Sequence, residues 1–271
     1  MEVGIQIELV VTHADDPHEN IWFGSVAALC QERGIPYVQP EASDLLELLP
    51  QFKKIAPDYI FSFYYRYMIT SDILATAGIA ALNMHGSLLP KYRGRAPVNW
   101  AILHGETKTG ASLHIMEAKP DAGDIVGQVA VPIHPDEDAT AVFAKVSNAA
   151  IEVMQAALPE LLQGRVPRTP NVLANGSYFG GRKPEDGRID WNQSAKQVHD
   201  LIRAVAPPYP GAFTDWQGVR MVIAKSKLNP LLPSSIDLSQ PGIHVVDNRV
   251  FGICGNHQAI EIMAWQPANP S

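Results

Sequence analysis

The first 85 residues alternate between short β-type runs and amphipathic helical patterns. β-Rich apolar runs occur at 7–13, 36–38, 58–63 and 80–85, and helical spacing of apolar residues occurs at 20–34, 43–54 and 72–77. Gly34 follows the first helical pattern, where a glycine C-cap is expected. This order is typical of a parallel sheet with helices on both faces, so the sequence predicts a doubly wound, Rossmann-like α/β domain.

The second half of the chain predicts a different architecture. β-Rich runs at 110–116 and 124–133 and a helical pattern at 138–162 complete a catalytic domain that we place at 1–165. The segment 166–193 is rich in Pro, Gly and Asn without periodicity, as expected of a linker. A helix at 194–206 and several short strands follow, so 194–271 is predicted to hold a small OB-like β-barrel.

Composition excludes several classes of protein. The formal charge is −7, from 21 basic and 28 acidic residues, which argues against a broad nucleic-acid surface and favours small ligands. No apolar run approaches the ~20 residues of a membrane span, and no signal peptide follows Met1, so a cytoplasmic protein is expected. The two cysteines lie outside any CxxC or Cys/His cluster, so neither a disulfide framework nor a metal site is expected. Neither GxGxxG nor a P-loop occurs.

A polar pair lies on the apolar strand predicted at 80–85. Side chains alternate between the faces of a strand, so Asn83 and His85 share one face while Met84 occupies the other. The strand end, where open α/β sheets bind ligands, is followed by a Pro-bounded loop that carries Lys91, Arg93 and Arg95. The competing interpretation is that His85 is a core histidine whose hydrogen bonds are made within the protein, and that Asn83 only helps to form the turn. The cations favour a site for a small anion.

An Asn beside a His suits acyl transfer to an amine. The attacking amine must lose a proton, and the developing oxyanion needs hydrogen-bond donors. A general-base His also needs an orienting carboxylate, and Asp121 in the loop sequence KPDAGD is the best candidate. Asp124 in the same loop is the alternative. The competing interpretation of either aspartate is that it only shapes the turn.

The run NMHGSLLPKYRGRAPVNWAILHGETKTGASLHIM, followed by DAGDIV, resembles the signature of the folate-dependent formyltransferases. The segments THADDP, FSFYYRYMI, FGGRKPEDGRIDW and IRAVAPPYPGAF extend the resemblance over nearly the whole chain. Together they look most similar to the formyltransferase domain of the bifunctional polymyxin-resistance enzyme, which formylates UDP-4-amino-4-deoxy-L-arabinose, and to other sugar N-formyltransferases.

The resemblance implies a role for each matching residue. Asn83 would stabilise the oxyanion, His85 would be the general acid/base, and Asp121 would orient His85. The implied cosubstrate is 10-formyltetrahydrofolate, with no metal. Its implied site comprises Tyr67, Met68, Ile69, Arg95, Glu117, Ala118, Lys119, Pro120 and Asp121.

The implied acceptor is the amine of a nucleotide-linked aminosugar, in lipopolysaccharide or lipid A modification. Its candidate contacts lie in the linker and the following helix: Tyr178, Phe179, Arg182, Lys183 and Arg203. The sequence leaves open the sugar, the nucleotide and whether the chain forms a homo-oligomer.

The match departs from the family pattern at two places. The family opens with a strand, a loop and a helix ahead of the segment matched by 7–13, and this sequence has only MEVGIQ there. The first strand of a doubly wound sheet is central, so we expect the strand at 7–13 to lie beside an unpaired edge. We also expect an upstream extension carrying the missing unit to stabilise the chain. No dehydrogenase domain follows, so decarboxylase activity is not expected.

Three alternatives use the same residues. The acceptor could be methionyl-tRNA, although gripping an RNA stem calls for a more basic surface. The chain could be a non-catalytic folate- or nucleotide-binding homologue, in which case the site would not be assembled. Water could replace the amine, which would release formate.

Overall fold

A computed structural model describes residues 4–15 and 21–268. The chain divides into two compact units according to where its internal contacts concentrate. The first unit contains Met1–His85, Ser112–Gly127 and Met154–Asn171, and the second contains Gly86–Ala111, Gln128–Val153 and Val172–Ser271. The boundary after Asn171 divides the predicted linker 166–193 between the two units.

The elements follow the predicted order along the chain. The first are β1 (Val10–Val11), α1 (Val26–Arg33), β2 (Tyr37–Val38), α2 (Leu49–Ile55), β3 (Tyr59–Phe63), α3 (Ser71–Leu74), β4 (Ala80–His85), β5 (Arg93–Gly94) and α4 (Pro97–Leu103). They are followed by β6 (Lys108–Ile115), β7 (Ile125–Pro132), α5 (Ala139–Leu161), β8 (Tyr178–Phe179), α6 (Ala195–Ala204), β9 (Ala212–Trp216), β10 (Val219–Leu228), β11 (Gly242–Val246), β12 (Arg249–Ile253) and β13 (Ala259–Pro267). Short 3₁₀ helices occupy Ala42–Leu48, Leu173–Asn175 and Pro184–Gly187.

The predicted α/β class is confirmed, and the sheet that carries β4 is of mixed direction. Its strand order is β3-β4-β6-β7; β3 runs parallel to β4, whereas β6 runs antiparallel to it. Hydrophobic periodicity reveals that a strand exists but not its direction, which is why the antiparallel neighbour was not predicted. Leu82 and Met84 of β4 are almost completely buried. The strand therefore holds its polar residues on a rigid support.

β1 and β2 form a separate two-stranded parallel sheet. Within 4–15 and 21–268, β1 pairs only with β2, and β3 pairs only with β4. In the described residues, both strands thus keep one unpaired edge. Val11 nevertheless packs against the core of the first unit, which is formed by Leu45, Ile60, Ile73 and Ala81.

The strands of the second unit curl into an antiparallel half-barrel of order β11-β12-β13-β10-β9. The prediction of a small OB-like barrel domain is confirmed as this curled half-barrel, in which β9 and β11 lie at opposite edges of the sheet. The alternation along short strands predicts a curled sheet, but closure depends on pairing between strands remote in sequence. Phe251, Ile253 and Ala259 form a core cluster of this sheet.

α6 carries a buried histidine that ties it to its neighbours. The Nδ1 atom of His199 lies 2.8 Å from the hydroxyl oxygen of Ser226, and its Nε2 atom lies 3.0 Å from the carbonyl oxygen of Pro135. A carbonyl only accepts, so Nε2 carries the proton and Nδ1 accepts from Ser226. Burial, reinforced by the nearby Arg203 cation, lowers the pKa of His199, while the Pro135 carbonyl, Asp200 and Asp136 oppose this shift.

Acidification should therefore destabilise the protein through His199. Its folded-state pKa lies below the unfolded value of about 6.5, so unfolding takes up a proton in the window between them and stability falls with decreasing pH. Chemical denaturation at pH 7.5 and 5.5 should show a smaller pH-dependent loss for His199→Gln than for the wild type. The exposed His257→Gln variant is the matched control and should behave like the wild type. An unchanged pH-dependent loss in His199→Gln would contradict this assignment.

No helix in the described part of the chain combines the length and apolarity needed to cross a membrane. The same residues contain no group of three or more His, Cys, Asp or Glu side chains arranged to hold a metal ion. Cys254 is buried, which raises the pKa of its thiol to about 12. This thiol therefore acts as a packing group rather than as a nucleophile.

Candidate active site

The polar face of β4 is built as the strand period predicts. Asn83 is half-buried and His85 is buried, while Met84 between them is only 1% exposed. Alternation of side chains across the strand places Asn83 and His85 on one face. These residues belong to the first compact unit, and the other groups of the site belong to the same unit.

A second histidine, which the sequence analysis missed, joins this face through cross-strand pairing. His114 of β6 lies directly opposite Asn83 in the antiparallel register, and its side chain is buried. Directly opposed residues project to the same side of a sheet and contact one another. The alternating run GASLHIM contained the signal, but only the register of β6 on β4 shows that His114 shares the face of Asn83.

Asp121 reaches this face from the loop that follows β6. β6 ends beside the start of β4, where Ile115 pairs with Leu82, and the loop then folds back. Asp121 has a left-handed backbone with φ 50°, which is uncommon for a residue other than glycine. Gly123, two residues later, approaches the Ile115 carbonyl so closely that a Cβ atom would lie 2.1 Å from the carbonyl oxygen. The turn is thus tightly constrained in shape.

Three nitrogen atoms surround a single carboxylate oxygen of Asp121. Oδ1 lies 3.5 Å from Asn83 Nδ2, 3.6 Å from His85 Nδ1 and 3.4 Å from His114 Nε2. The structure therefore brings together the three residues that were predicted to converge and adds His114. The distances are long for hydrogen bonds, as is common for catalytic groups before substrate binds. The side chain of Asp124 makes no hydrogen bond or ion pair with these groups in the described part of the chain.

The tautomer of His114 sets the orientation of the Asn83 amide. His114 Nδ1 lies 2.8 Å from the Ile115 carbonyl oxygen, so this nitrogen carries the proton. Nε2 of the neutral ring is then an acceptor, and Asn83 Nδ2 donates to it at 3.1 Å. The remaining N–H of Asn83 faces Asp121 at the limit of hydrogen-bond distance. That N–H is the donor most easily redirected to an oxyanion.

Asn171 supports the turn that carries Asp121. Its Nδ2 atom donates to the backbone carbonyls of Asp121 at 3.0 Å and Gly123 at 3.2 Å. Asn171 is 9% exposed, and it enters from the segment after α5, fifty residues further along the chain. Two hydrogen bonds to carbonyls on either side of a left-handed turn hold its backbone in place. No local sequence pattern predicts such a contact.

Replacing Asn171 by Ala should lower turnover about tenfold while changing the Michaelis constants less. Each lost hydrogen bond is worth about 0.5–1.5 kcal/mol, and here that energy positions Asp121. The measurement is steady-state turnover with each substrate varied. The exposed Asn175→Ala is the matched control and should retain wild-type turnover. Equal turnover in the two variants would mean that Asn171 only stabilises the loop and does not position Asp121 for catalysis.

The remaining residues predicted to bind the cosubstrate lie in two loops of the first unit, apart from Arg95. Met68 follows β3 and is 66% exposed, whereas Ile69 packs against the core and Tyr67 stacks edge-on against Tyr65. Glu117, Ala118 and Lys119 are exposed and Pro120 is half-buried in the loop that leads to Asp121. Arg95 is exposed and belongs to the second unit.

The candidate acceptor contacts lie in the second unit, and two of them, Phe179 and Arg182, contact the same ring, that of Trp100. Phe179 stacks on Trp100 with ring centroids 4.7 Å apart. The Arg182 guanidinium lies 4.9 Å from the centroid of the Trp100 ring. Burial lowers the pKa of Arg182, although Asp186 opposes this shift. Tyr178 and Lys183 are exposed.

Arg203 is the exception among the predicted acceptor contacts. It is 7% exposed, and its guanidinium donates to Asp200 at 2.9 Å and to the Glu137 carbonyl at 3.0 Å. The Arg203 guanidinium therefore already donates hydrogen bonds within the protein, although the sequence suggested that it was available to a ligand. The structure thus indicates a supporting role within the second unit, and we leave Arg203 out of the acceptor site.

An amide, two histidines and a carboxylate on the face of an α/β sheet can supply the oxyanion donor and the general base that acyl transfer needs. The chain belongs to the formyl transferase family. The model of the formyl transferase domain matches residues 2–158, and the model of the formyl transferase C-terminal domain matches residues 182–270.

Solved structures share the fold at low sequence identity. WlaRD, a sugar 3N-formyl transferase crystallised in the presence of dTDP and 5-N-formyl-THF, is 18% identical with a TM-score of 0.69, over 97% of this chain and 88% of WlaRD. Methionyl-tRNA formyltransferase from Clostridium thermocellum is 19% identical with a TM-score of 0.58, over 90% and 92% of the two chains. HypX from Aquifex aeolicus, in complex with tetrahydrofolic acid, is 19% identical with a TM-score of 0.67. That match covers 96% of this chain but only 44% of HypX, so the chain spans less than half the length of that relative.

Proposed function

We propose that this protein transfers the formyl group of 10-formyltetrahydrofolate to the amine of a nucleotide-linked aminosugar. The observation that carries the proposal is the convergence of Asn83, His85 and His114 on one oxygen of Asp121. A non-catalytic homologue has no need of this arrangement. Family membership supplies the reaction class, and the composition of the chain favours a small acceptor.

Each side chain has a distinct task in this reaction. His85 accepts the proton that the acceptor amine loses as its nitrogen bonds to the formyl carbon, and His85 returns a proton to the departing nitrogen. Asn83 donates an N–H to the formyl oxygen as negative charge develops there. Asp121 orients His85, and His114 holds the Asn83 amide in its donating orientation.

The folate would supply the activated formyl group, and the surface after β3 suits a flat aromatic ligand. Phe63 is 50% exposed, Tyr64 is 45% exposed and Met68 is 66% exposed, all within six residues of one another. Exposed apolar groups of this kind are typical of ligand sites. We therefore assign Tyr67, Met68 and Ile69, with 117–121, to folate binding, and we extend this assignment to Arg95.

The acceptor assignment follows from charge and from the surface of the second unit. A nucleotide sugar needs a few cations for its diphosphate and a ring or backbone group for its base, and Tyr178, Phe179, Arg182 and Lys183 provide both kinds of group. Binding methionyl-tRNA would call for many Lys and Arg contacts, in a chain with more acidic than basic residues. UDP-4-amino-4-deoxy-L-arabinose is the acceptor that we would test first.

A substrate panel tests the proposal. Purified protein and 10-formyltetrahydrofolate should formylate at least one UDP- or dTDP-linked aminosugar, with inhibition by UDP or dTDP, and should not formylate initiator methionyl-tRNA. The same sugar nucleotides with a hydroxyl in place of the amine are the controls and should yield no product. Efficient formylation of the tRNA, with a steep loss as salt is raised, would overturn the acceptor assignment. Formate release at an equal rate with and without acceptor would indicate a hydrolase.

A further inference from the structure

Arg93 is a buried cation for which the described part of the chain offers no counter-ion. The residue is 8% exposed, and its Nε atom is buried without a hydrogen-bond partner. No carboxylate among 4–15 and 21–268 lies within ion-pair distance of its guanidinium. The ring of Tyr178, whose centroid is 5.9 Å from Cζ, is the partner that the side chain does have.

Strand pairing fixes the backbone around Arg93 and so keeps its side chain in this buried position. β5 pairs with β8, so that Arg93 N donates to the Ser177 carbonyl and Arg95 N to the Phe179 carbonyl, each at 3.0 Å. Gly94 has φ 96°, and a Cβ atom there would lie 2.1 Å from the Phe179 carbonyl oxygen. The two strands therefore hold the Arg93 and Tyr178 side chains together.

Such an arrangement is costly unless an anion completes it. Burying a charge without a partner costs more than one cation–π contact returns, whereas a bidentate bond to a phosphate or carboxylate would offset that cost. A guanidinium carries five N–H donors, and the Nε donor is unused here. Arg182 lies over Trp100 and donates to the Asp186 carbonyl, so it is a cation separate from Arg93.

We propose that Arg93, covered by Tyr178, is an anion subsite that binds the phosphate of the nucleotide-linked acceptor or the carboxylate of the folate. Tyr178 is 57% exposed, so its outer face offers an aromatic surface next to the anion. A phosphate beside an aromatic face is the recognition surface of a nucleotide. This inference rests on the proposed function for the identity of its ligand, but its geometry lies wholly within the second unit.

Binding measurements on Arg93→Met test the subsite directly. Isothermal titration with UDP, uridine, inorganic pyrophosphate and 5-formyltetrahydrofolate compares four probes that differ in their anionic groups. If the phosphate is the ligand, affinity for UDP and pyrophosphate should fall at least tenfold, while affinity for uridine and the folate should be unchanged. If the folate carboxylate is the ligand, only the folate affinity should fall. Arg165→Met, at an exposed arginine paired with Glu160, removes the same charge and should leave all four affinities unchanged.

Thermal stability without ligand separates a binding role from a structural one. An uncompensated buried charge does not stabilise the fold, so the melting temperature of Arg93→Met should equal or exceed that of the wild type. Arg93→Lys, which keeps the charge but not the planar fork, should bind the affected probe with intermediate affinity. A lowered melting temperature of Arg93→Met, or affinities within twofold of the wild type for all probes, would overturn the subsite.

These outcomes are distinguishable from failure of the proposed function. Formylation of an aminosugar nucleotide by the wild type, together with unchanged affinity of Arg93→Met for all four probes, would reject the subsite and keep the function. Arg93-dependent binding of pyrophosphate without formylation of any aminosugar nucleotide would keep the subsite and reject the acceptor.

Discussion

His85→Gln should lower the rate of formyl transfer by about 100- to 10,000-fold, the range typical of losing a positioned general acid/base. Gln is close to His in size and can hydrogen-bond, which matters because His85 is only 6% exposed and a smaller residue would open a cavity. The amine proton would then have no acceptor of suitable basicity. The measurement is the single-turnover rate with 10-formyltetrahydrofolate and an aminosugar nucleotide.

The control for His85→Gln must separate catalysis from folding. His257→Gln changes an exposed histidine of the second unit and should keep wild-type turnover. The melting temperature of His85→Gln should stay within about 2 °C of the wild type, equivalent to less than ~1 kcal/mol for a chain of this size. A large fall in melting temperature with a turnover close to wild type would identify His85 as a structural core histidine.

Asp121→Asn should reduce turnover by about 1,000-fold or more. Asp121 Oδ1 lies 3.5 Å from Asn83 Nδ2 and 3.6 Å from His85 Nδ1, whereas His114 accepts from Asn83 and donates nothing to this oxygen. A neutral amide would still fill the space, but it would neither stabilise a protonated His85 nor hold the ring by charge. In Ser–His–Asp enzymes, loss of the orienting carboxylate by the same substitution costs about 10,000-fold, and that effect sets the scale expected here.

Asp124→Asn is a control from the same turn. The two aspartates were both candidates on sequence, and they differ in that only Asp121 contacts the histidines in the described part of the chain. Turnover of Asp124→Asn should match the wild type. Equal losses in the two variants would mean that the turn needs negative charge for its shape, and the orienting role of Asp121 would fail.

Local features of this protein were predictable because they depend on short-range rules. The strand at 80–85 coincides with β4, and its alternation correctly placed Asn83 and His85 on one face. Gly34 ends α1 with φ 64°, as expected of a helix C-cap. Backbone periodicity and turn chemistry act over a few residues, so the order of helices and strands and the α/β class were also predictable.

The tertiary structure alone decided which distant residues meet. His114 joins the site only because β6 pairs antiparallel with β4, and Asn171 supports Asp121 from fifty residues away. Arg203 carries the same side chain as Arg93, yet Asp200 neutralises Arg203, whereas Arg93 has no ion-pair partner in 4–15 and 21–268. Residue type and local pattern determine what a side chain can do, but its partners and burial are set by register and packing between segments remote in sequence.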